Sequence, residues 1–327
     1  MPDAGIRAVV VTEHGGPEVL QVRTLPARRP GPTQLLVSVA AAGVNYRDVY
    51  EREGSYPKAP PFTQGTEFAG TVLAVGAEVT EFEVGDRLAT ASGTGAQASA
   101  AVVEQRDAVP VPDGIDLDVA AATLLQGMTA HYLVHSTFAV ARGHTVLIHA
   151  AAGGVGTLLV QLAKARGARV VATVGSDAKV AIAREAGADE VIRYDEVDDL
   201  AGAVREASEG GVDVAYDGVG ASTFDASLAS LRPRGLLVLY GAASGPVPPL
   251  DLQRLNSGGS LFVTRPTLAH YVADRAELLW RASDLFTAIG DGSLTVAIGG
   301  RYGLDQAADA YRDLQARRTT GKLLILP

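Results

Sequence analysis

The chain has 327 residues, of which 47% are hydrophobic and 20% charged, and its net charge is −9. This composition is typical of a folded globular protein, and the length is sufficient for two domains. An acidic chain offers no field that would attract phosphate backbones or anionic lipids, so nucleic acids and membrane surfaces are disfavoured as main partners. The sequence contains no cysteine, which excludes disulfides, thiolate catalysis and zinc sites that need sulfur.

The sequence also carries no targeting or membrane signal that we recognise. No run of about 18 apolar residues is free of charged or turn residues, so no membrane span is predicted. The N-terminal residues Met1–Gly5 lack the basic and apolar regions of a signal peptide. We therefore expect a cytoplasmic protein.

Residues 1–125 contain short strand-like segments separated by turn residues. The clearest segments are Arg7–Thr12, Gln34–Ala40, Gly70–Val75 and Ala101–Val103. Glycine and proline pairs interrupt them at short intervals. This pattern predicts an irregular, mostly antiparallel β domain.

From residue 126 onward, apolar strands alternate with helices. The predicted strands are Thr145–Ala150, Arg169–Val174, Val191–Tyr194, Val212–Asp217, Leu236–Tyr240 and Leu261–Thr264. The helices predicted between them are Val155–Arg166, Ala178–Ala186, Leu200–Ala207 and Thr223–Leu231. Continuous Val, Leu and Ala runs are typical of strands covered on both faces, so residues 126–265 are predicted to form a doubly wound parallel sheet.

The segment 266–327 contains a helix at Glu277–Ile289, a short strand and a helix at Asp305–Ala316. These elements are too few for a third domain. We predict that they rejoin the N-terminal domain, so that domain 126–265 is inserted between the two parts, 1–125 and 266–327, of one catalytic domain.

A glycine-rich turn follows the first predicted parallel strand, and residues 150–156 read AAAGGVG. A phosphate-binding turn needs small residues where the backbone approaches a pyrophosphate and where the helix packs on the strand. The helix N-terminus adds unpaired N–H groups and a partial positive charge. The predicted cofactor contacts are Gly153, Gly154, Val155 and Gly156. Ala151 replaces the first glycine of the common pattern, so its φ must be negative.

The end of the second parallel strand indicates which nicotinamide cofactor binds. An NAD enzyme places a carboxylate there for the ribose 2′-hydroxyl. No acid stands near Val174, whereas Ser176 and Lys179 can donate to a 2′-phosphate, and Tyr194 can contact the adenine side. A lysine in the first turn of a helix is otherwise poorly placed. These residues predict NADPH, although Asp177 is an acid close by.

Sequence blocks along nearly the whole chain resemble, in one order, the quinone oxidoreductases, the zinc-free family of medium-chain dehydrogenases/reductases that includes zeta-crystallin. The blocks are Gly43–Tyr50, Val84–Arg87, Leu125–Tyr132, Gly153–Gly156, Tyr216–Gly220, Leu231–Gly235, Gly241–Pro246, Thr264–Thr267 and Arg317–Lys322. The resemblance implies an α/β fold in which a Rossmann-type doubly wound parallel sheet is inserted into a mostly β, GroES-like catalytic domain. It also implies an NADPH:quinone oxidoreductase.

The resemblance further implies the residues that surround the NADPH. Asn45 and Thr129 would lie near the nicotinamide. Its far side would be lined by Tyr240, Gly241, Ala242, Ala243, Phe262, Val263, Thr264 and Lys322. Two positions depart from the family, since Gly218 stands where serine is usual and Ala242 where asparagine is usual. Backbone groups must therefore replace a side-chain contact to the cofactor.

Tyr50 and Tyr56 fall in the segment with which the family roofs its substrate pocket. Each can orient or protonate a substrate, or simply form an aromatic wall, and together with Asn45 they are the candidate catalytic residues. Zinc-dependent alcohol dehydrogenases carry a ligand His-Glu pair where this chain has Thr66-Glu67, so no metal is expected. Without a metal to polarise a carbonyl group, we predict quinones as acceptors, with α,β-unsaturated carbonyl compounds as the alternative.

Three further expectations concern histidines, turnover and assembly. His131 and His135 have the spacing of a metal-binding pair but no third ligand, so they are predicted to be partly exposed helix residues. His149 is predicted to be a hydrogen-bonded core residue.

A nucleotide- or RNA-binding protein without turnover is the non-enzymatic alternative, and the acidic charge disfavours RNA. The strand Leu261–Thr264 is predicted to lie at a sheet edge and to form a homodimer interface, as is frequent in the family.

Overall fold

A computed structural model describes residues 5–327, and the chain in it forms two compact units. The first unit consists of residues 5–125 and 274–327, and the second of residues 126–273. Residues 266–273, which we had assigned to the returning segment, lie in the second unit. Residues 1–4, which belong to the segment considered for a signal peptide, lie outside the described residues. No helix in the described part of the chain is long and apolar enough to span a bilayer.

The first part of unit one is built from strands and one short helix. The elements are β1 (Ile6–Val11), β2 (Leu20–Leu25), β3 (Gln34–Val44), α1 (Tyr46–Arg52), β4 (Phe62–Thr63), β5 (Phe68–Val75), β6 (Arg87–Thr90), β7 (Ala100–Glu104) and β8 (Val109–Pro110). Their pairings are antiparallel, as the sequence predicts. Helix α2 (Leu117–Tyr132) then carries the chain into unit two.

Unit two alternates strands and helices. The strands are β9 (Thr145–His149), β10 (Arg169–Val174), β11 (Glu190–Arg193), β12 (Val212–Asp217), β13 (Leu231–Leu239) and β14 (Phe262–Thr264). The helices are α3 (Gly154–Ala165), α4 (Asp177–Glu185), α5 (Leu200–Ala207), α6 (Phe224–Ala229), α7 (Gln253–Ser257) and α8 (Leu268–Tyr271).

The six strands of unit two form one sheet in the order β11-β10-β9-β12-β13-β14, and all their pairings are parallel. The doubly wound parallel sheet predicted from the sequence is confirmed, and its central strands are buried along almost their whole length. The chain reverses its direction across the sheet between β9 and β12. Nucleotides bind outside the carboxyl ends of the strands at such a point.

The returning segment completes the sheet of unit one. Its elements are α9 (Arg275–Gly290), β15 (Ile298–Gly303), α10 (Ala307–Gln315) and β16 (Lys322–Leu326). Strand β16 inserts between β15 and β3, giving the order β15-β16-β3-β5-β6-β8, with β7 also paired to β3. In the structure this segment pairs with the sheet of the N-terminal part, and β16 is a strand that was not predicted from the sequence.

Candidate cofactor and active site

The glycine-rich turn connects β9 to α3 and has little room for side chains. A Cβ atom on Gly156 would lie 2.3 Å from the carbonyl oxygen of Ala150, so α3 packs directly on the turn. A Cβ atom on Gly153 would meet only that same oxygen, at 3.2 Å. Ala150 adopts a φ of 50°, whereas Ala151 is not among the positive-φ residues, in agreement with the sequence prediction. A non-glycine residue at positive φ is uncommon and is typical of ligand-binding loops.

The two residues predicted to face the 2′-phosphate, Ser176 and Lys179, follow β10, and Tyr194, predicted to contact the adenine side, follows β11. Ser176 precedes α4, and the backbone N–H of Lys179 donates to the Ser176 carbonyl oxygen at 3.0 Å. Tyr194 follows β11 and lies across Gly175, where a Cβ atom would be 2.2 Å from the tyrosine hydroxyl oxygen. No carboxylate occupies the segment 174–176. This end of the sheet fits a phosphorylated ribose better than an unmodified one.

Arg193, which the sequence analysis overlooked, accounts for the neighbouring acid. Its guanidinium group pairs with Asp177 at 2.6 Å and with Asp195 at 2.6 Å. The negative charge of Asp177 is therefore paired with Arg193, the last residue of the adjacent strand β11. The signal available in the sequence was the position of Arg193 directly before Tyr194.

Asp217, at the end of β12, fixes the loop that contains Gly218. Its buried carboxylate accepts hydrogen bonds from the backbone N–H groups of Val219 and Gly220 at 2.8 and 2.9 Å. It also accepts bonds from the hydroxyl groups of Thr223 and Ser227. A carboxylate satisfied by so many donors is a rigid anchor for the loop. This aspartate lies in the family block Tyr216–Gly220, but its sequence position alone indicates no role.

His149 lies beneath the same loop and is a core residue, as predicted. Its Nδ1 atom is 2.7 Å from the Thr173 hydroxyl oxygen and its Nε2 atom 2.9 Å from the Ser227 hydroxyl oxygen. Burial lowers the pKa of His149, although the charge of Asp217 opposes this shift. The histidine is thus neutral and links β9, β10 and α6.

The structure explains one departure from the family pattern. A Cβ atom on Gly218 would lie 2.7 Å from the Cζ atom of Tyr240, so the tyrosine ring fills the space that a serine would need. A Cβ atom on Gly241 would lie 2.4 Å from the Gly218 carbonyl oxygen, and the Ala243 N–H donates to that oxygen at 3.3 Å. Residues 240–243 therefore pack against Gly218, beyond the ends of β12 and β13.

The remaining predicted residues of unit two lie on α2 and β14. Thr129 is buried on α2. Phe262, Val263 and Thr264 form β14, which within residues 5–327 pairs only with β13 and is an edge strand, as predicted. The side chain of Phe262 is 59% exposed, so it does not belong to the packed core of this unit.

In unit one, Asn45, Glu67 and Lys322 form a buried polar cluster, here called the amide triad. The Lys322 ammonium donates to Asn45 Oδ1 at 2.7 Å and to Glu67 Oε2 at 2.5 Å. The Asn45 amide nitrogen donates to the same Glu67 oxygen at 2.8 Å. The exposed fractions of the three residues are 4%, 0% and 1% respectively. The structure thus joins two predicted residues, Asn45 and Lys322, through Glu67, which the sequence comparison had placed only in the segment where zinc-dependent enzymes carry a ligand His-Glu pair.

The tyrosines predicted to contact the substrate lie next to one another. The ring centroids of Tyr50 and Tyr56 are 5.2 Å apart, and Tyr46 lies 6.2 Å from Tyr50. Tyr56 is 42% exposed. The pair provides flat aromatic surface and phenolic donors within one unit.

The predicted exposure of His131 is wrong. His131 is buried at 1% exposure, and its ring stacks on that of His135 with centroids 4.0 Å apart. Helix α2 continues past Tyr132 into a π-helical segment, Leu133–Thr137. Within residues 5–327, no group of three or more His, Cys, Asp or Glu side chains is arranged to hold a metal ion.

A parallel sheet with a glycine-rich phosphate turn, combined with a β unit of this topology, defines a medium-chain dehydrogenase/reductase. Residues 31–113 match the alcohol dehydrogenase GroES-like domain and residues 154–275 the zinc-binding dehydrogenase domain. A quinone oxidoreductase of Pseudomonas aeruginosa is 45% identical over 318 residues, which cover 96% of this chain and 97% of the relative. The chain belongs to the quinone oxidoreductase family and is an oxidoreductase.

Two further similarities bear on the cofactor and the substrate. A mycobacterial protein solved in complex with NADPH is 50% identical, with a TM-score of 0.96, and the match covers 98% of this chain and 100% of that one. A 2-haloacrylate reductase of a Burkholderia species is 39% identical over 331 residues, which cover 98% of this chain and 99% of the relative.

Proposed function

We propose that this protein catalyses the NADPH-dependent reduction of quinones without a metal ion. The observation that carries the proposal is the region beyond the ends of β10 and β11, where Ser176, Lys179 and Tyr194 lie, where the segment 174–176 has no carboxylate, and where Asp177 pairs with Arg193. The NADPH complex of the mycobacterial relative supports this cofactor. The name of the Pseudomonas relative supports a quinone as the acceptor.

The residues present fit NADPH at both of its ends. The turn at Gly153–Gly156 offers backbone N–H groups and the N-terminus of α3 to the pyrophosphate, and the gap beside Gly153 leaves room for it. Residues 240–243 and Thr264 would lie along the nicotinamide half, and Thr129, Asn45 and Lys322 would orient its ring. When bound, NADPH supplies the electrons for the reduction, and the protein contributes positioning and electrostatics.

The amide triad does not fit a zinc ion. Glu67 is the carboxylate at the position relevant to metal binding in the zinc-dependent enzymes, and the Lys322 ammonium already neutralises it. Asn45 directs its oxygen toward the same ammonium. A second cation at this place would be repelled, so we assign no step to a metal.

An α,β-unsaturated carbonyl compound is the second candidate substrate. The 2-haloacrylate reductase of the Burkholderia species supports this alternative. Reduction of such a compound places charge on a carbonyl oxygen, which a donor must stabilise. Tyr50 and Tyr56 carry phenolic O–H groups that suit this role. A quinone needs less assistance, since its reduction restores an aromatic ring.

The acceptor is identified by steady-state kinetics with matched quinones and enones, in the presence and absence of a strong chelator. We expect the quinone to have the higher kcat/KM and the chelator to leave both rates unchanged. A higher value for the enone, together with its selective loss in Tyr50→Phe, would instead identify an enone reductase. NADPH binding without oxidation would identify a nucleotide-binding protein without turnover.

We expect Lys179→Ala to weaken NADPH binding about 10- to 100-fold, because one charge-assisted hydrogen bond contributes about 1.5–3 kcal/mol. Affinity for NADH should be unchanged, since that cofactor has no 2′-phosphate. The matched control is Lys164→Ala on α3 of the same unit. This substitution removes an ammonium group that pairs with Asp189. Fluorescence titration of both cofactors measures the difference, and equal losses for NADPH and NADH would reject this role of Lys179.

The assembly and location that we propose are a homodimer in the cytoplasm. The edge strand β14 presents unpaired backbone groups and the exposed Phe262 side chain, which together favour pairing with a second copy of the chain. The partners of this chain are then a second copy and a small quinone or conjugated carbonyl compound.

A further inference from the structure

The amide triad is assembled from three strands whose ends meet at one place. Asn45 directly follows β3, Glu67 directly precedes β5, and Lys322 is the first residue of β16. Strands β5 and β16 run antiparallel to β3 on either side of its C-terminal half, so all three residues lie at the same end of the sheet. A buried ion pair at such a place is costly unless its geometry and hydrogen bonds are nearly complete.

Gly43 provides the space in which this pair lies. A Cβ atom on Gly43 would be 2.1 Å from Glu67 Oε2 and 2.8 Å from Lys322 Cε. The backbone N–H of Gly43 donates to the carbonyl oxygen of Glu67 at 2.9 Å, which fixes that residue from the other side. The remaining carboxylate oxygen, Glu67 Oε1, accepts from the backbone N–H of Leu125 at 2.7 Å. Glu67 is therefore held at both oxygens and at its backbone.

The charges determine which way the amide of Asn45 faces. An ammonium can only donate hydrogen bonds and an ionised carboxylate can only accept them. Asn45 must therefore turn its oxygen to Lys322 and its nitrogen to Glu67, and the flipped orientation would place like groups together. At the start of α1, the backbone N–H of Asn45 donates to the Asp48 carboxylate at 2.9 Å, which holds the backbone of Asn45 in place.

One N–H of the Asn45 amide is left after these bonds are counted within the described residues. An amide nitrogen carries two hydrogens, and Glu67 receives one of them. The contact of Lys322 with the amide oxygen polarises the amide and strengthens the remaining N–H as a donor. The triad thus presents an oriented donor, which suits a carbonyl oxygen and not a hydroxyl donor or a cation.

We infer that Glu67 is a positioning residue that, together with Lys322, fixes the Asn45 amide as a hydrogen-bond donor to a carbonyl oxygen. This inference deepens the proposed function and rests on it. The carbonyl oxygen belongs either to the carboxamide of the nicotinamide or to the acceptor. Both groups offer a carbonyl oxygen to the Asn45 amide. The hydrogen bond to the nicotinamide carboxamide would form before the acceptor binds, whereas the bond to the acceptor would form only afterwards.

The test compares Glu67→Gln with the wild-type protein by NADPH titration without acceptor and by steady-state kinetics with a quinone. Glutamine keeps the shape of Glu67 but can turn its own nitrogen to Asn45, so the amide loses its fixed orientation. We expect a 10- to 100-fold fall in kcat/KM, on the order of one charge-assisted hydrogen bond. Glu67→Asp, which retains the charge, should recover part of this loss.

The two arms separate the two carbonyl sources. A raised Kd for NADPH in Glu67→Gln assigns the donor to the nicotinamide carboxamide. An unchanged Kd with a reduced kcat for the quinone assigns it to the acceptor. Both results support the inference, because a purely structural role would lower the unfolding temperature without separating Kd from kcat at a temperature well below unfolding.

The matched control is Glu277→Gln, which removes a carboxylate from the buried guanidinium of Arg281 on α9 of the same unit. The inference is overturned if Glu67→Gln changes Kd and kcat no more than this control does. If Glu67→Gln does not fold, the double variant Glu67→Gln/Lys322→Met removes both buried charges and should fold. We expect it to be defective in NADPH binding or in kcat for the quinone. A wild-type protein that oxidises no NADPH with any acceptor refutes the proposed function instead.

Discussion

Replacement of Gly156 by alanine should reduce NADPH affinity about 100-fold and destabilise the protein. The added Cβ atom would lie 2.3 Å from the Ala150 carbonyl oxygen and 2.8 Å from the Ala151 Cα atom, which are both backbone atoms. Helix α3 must therefore move away from the turn by about 1 Å, and a displacement of this size at a binding site can cost on the order of 100-fold. Overpacking of this kind destabilises a fold by about 1–3 kcal/mol. Fluorescence titration with NADPH and thermal unfolding measure the two effects.

Gly153→Ala separates binding from packing in the same turn. Its Cβ atom would meet only one oxygen, at 3.2 Å, and the φ of Gly153 is −82°, which any residue adopts. The unfolding temperature should therefore be close to that of the wild-type protein, whereas the methyl group would enter the space in which the pyrophosphate approaches the backbone. Gly290→Ala, at the end of α9 with open space around it, is the control for both measurements. Wild-type NADPH affinity in Gly153→Ala would show that the pyrophosphate does not bind at this turn.

The parallel-sheet unit was predictable from sequence because its signals are local. Most of its strands are runs of buried apolar residues, and helices separate successive strands, so each element can be recognised from its own stretch of sequence. The turn at residues 150–156 consists of consecutive residues, so its phosphate-binding function can be recognised from a short motif. Boundaries were less accurate, since β14 begins at Phe262 and the second unit extends to residue 273.

The amide triad could not be predicted because its members are distant in sequence. Glu67 and Lys322 are separated by 255 residues and meet only when β16 pairs with β3. Strand β16 has five residues and follows a helix and a turn, so its pattern alone indicates neither a strand nor a partner. In the sequence, Gly43 is only one member of a family block. Its role is evident from the structure, where a Cβ atom at this position would collide with Glu67 and Lys322. The buried cation that Lys322 places beside Asn45 was likewise not evident from the sequence.

Asp48 is a fully buried acid whose charge should affect the stability of the fold. Burial raises the pKa of Asp48 to about 6 from its ordinary value of 3.8, while hydrogen bonds from the Asn45 backbone and the Tyr311 hydroxyl oppose the shift. The surroundings contain an excess of acceptors, because the oxygens Asp48 Oδ1, Gln64 Oε1 and Gln97 Oε1 have no donor among the described residues. A proton on Asp48 would supply a donor to this cluster. The folded state therefore favours the neutral carboxyl group of Asp48 more than the unfolded chain does.

We expect Asp48→Asn to remove this penalty and to be more stable than the wild-type protein above pH 6. The folded pKa is higher than the unfolded one, so the contribution of Asp48 is fully present below pH 3.8 and is lost as the pH rises through 6. Between pH 4 and 7.5 the stability difference between the two proteins should change by about 2–3 kcal/mol. The amide oxygen can still accept from Asn45 and Tyr311, and the amide nitrogen takes the place of the unpaired oxygen. Urea unfolding at a series of pH values, with the exposed turn variant Asp113→Asn as control, measures the effect; a difference that stays constant with pH would mean that Asp48 is ionised in the folded protein throughout this range.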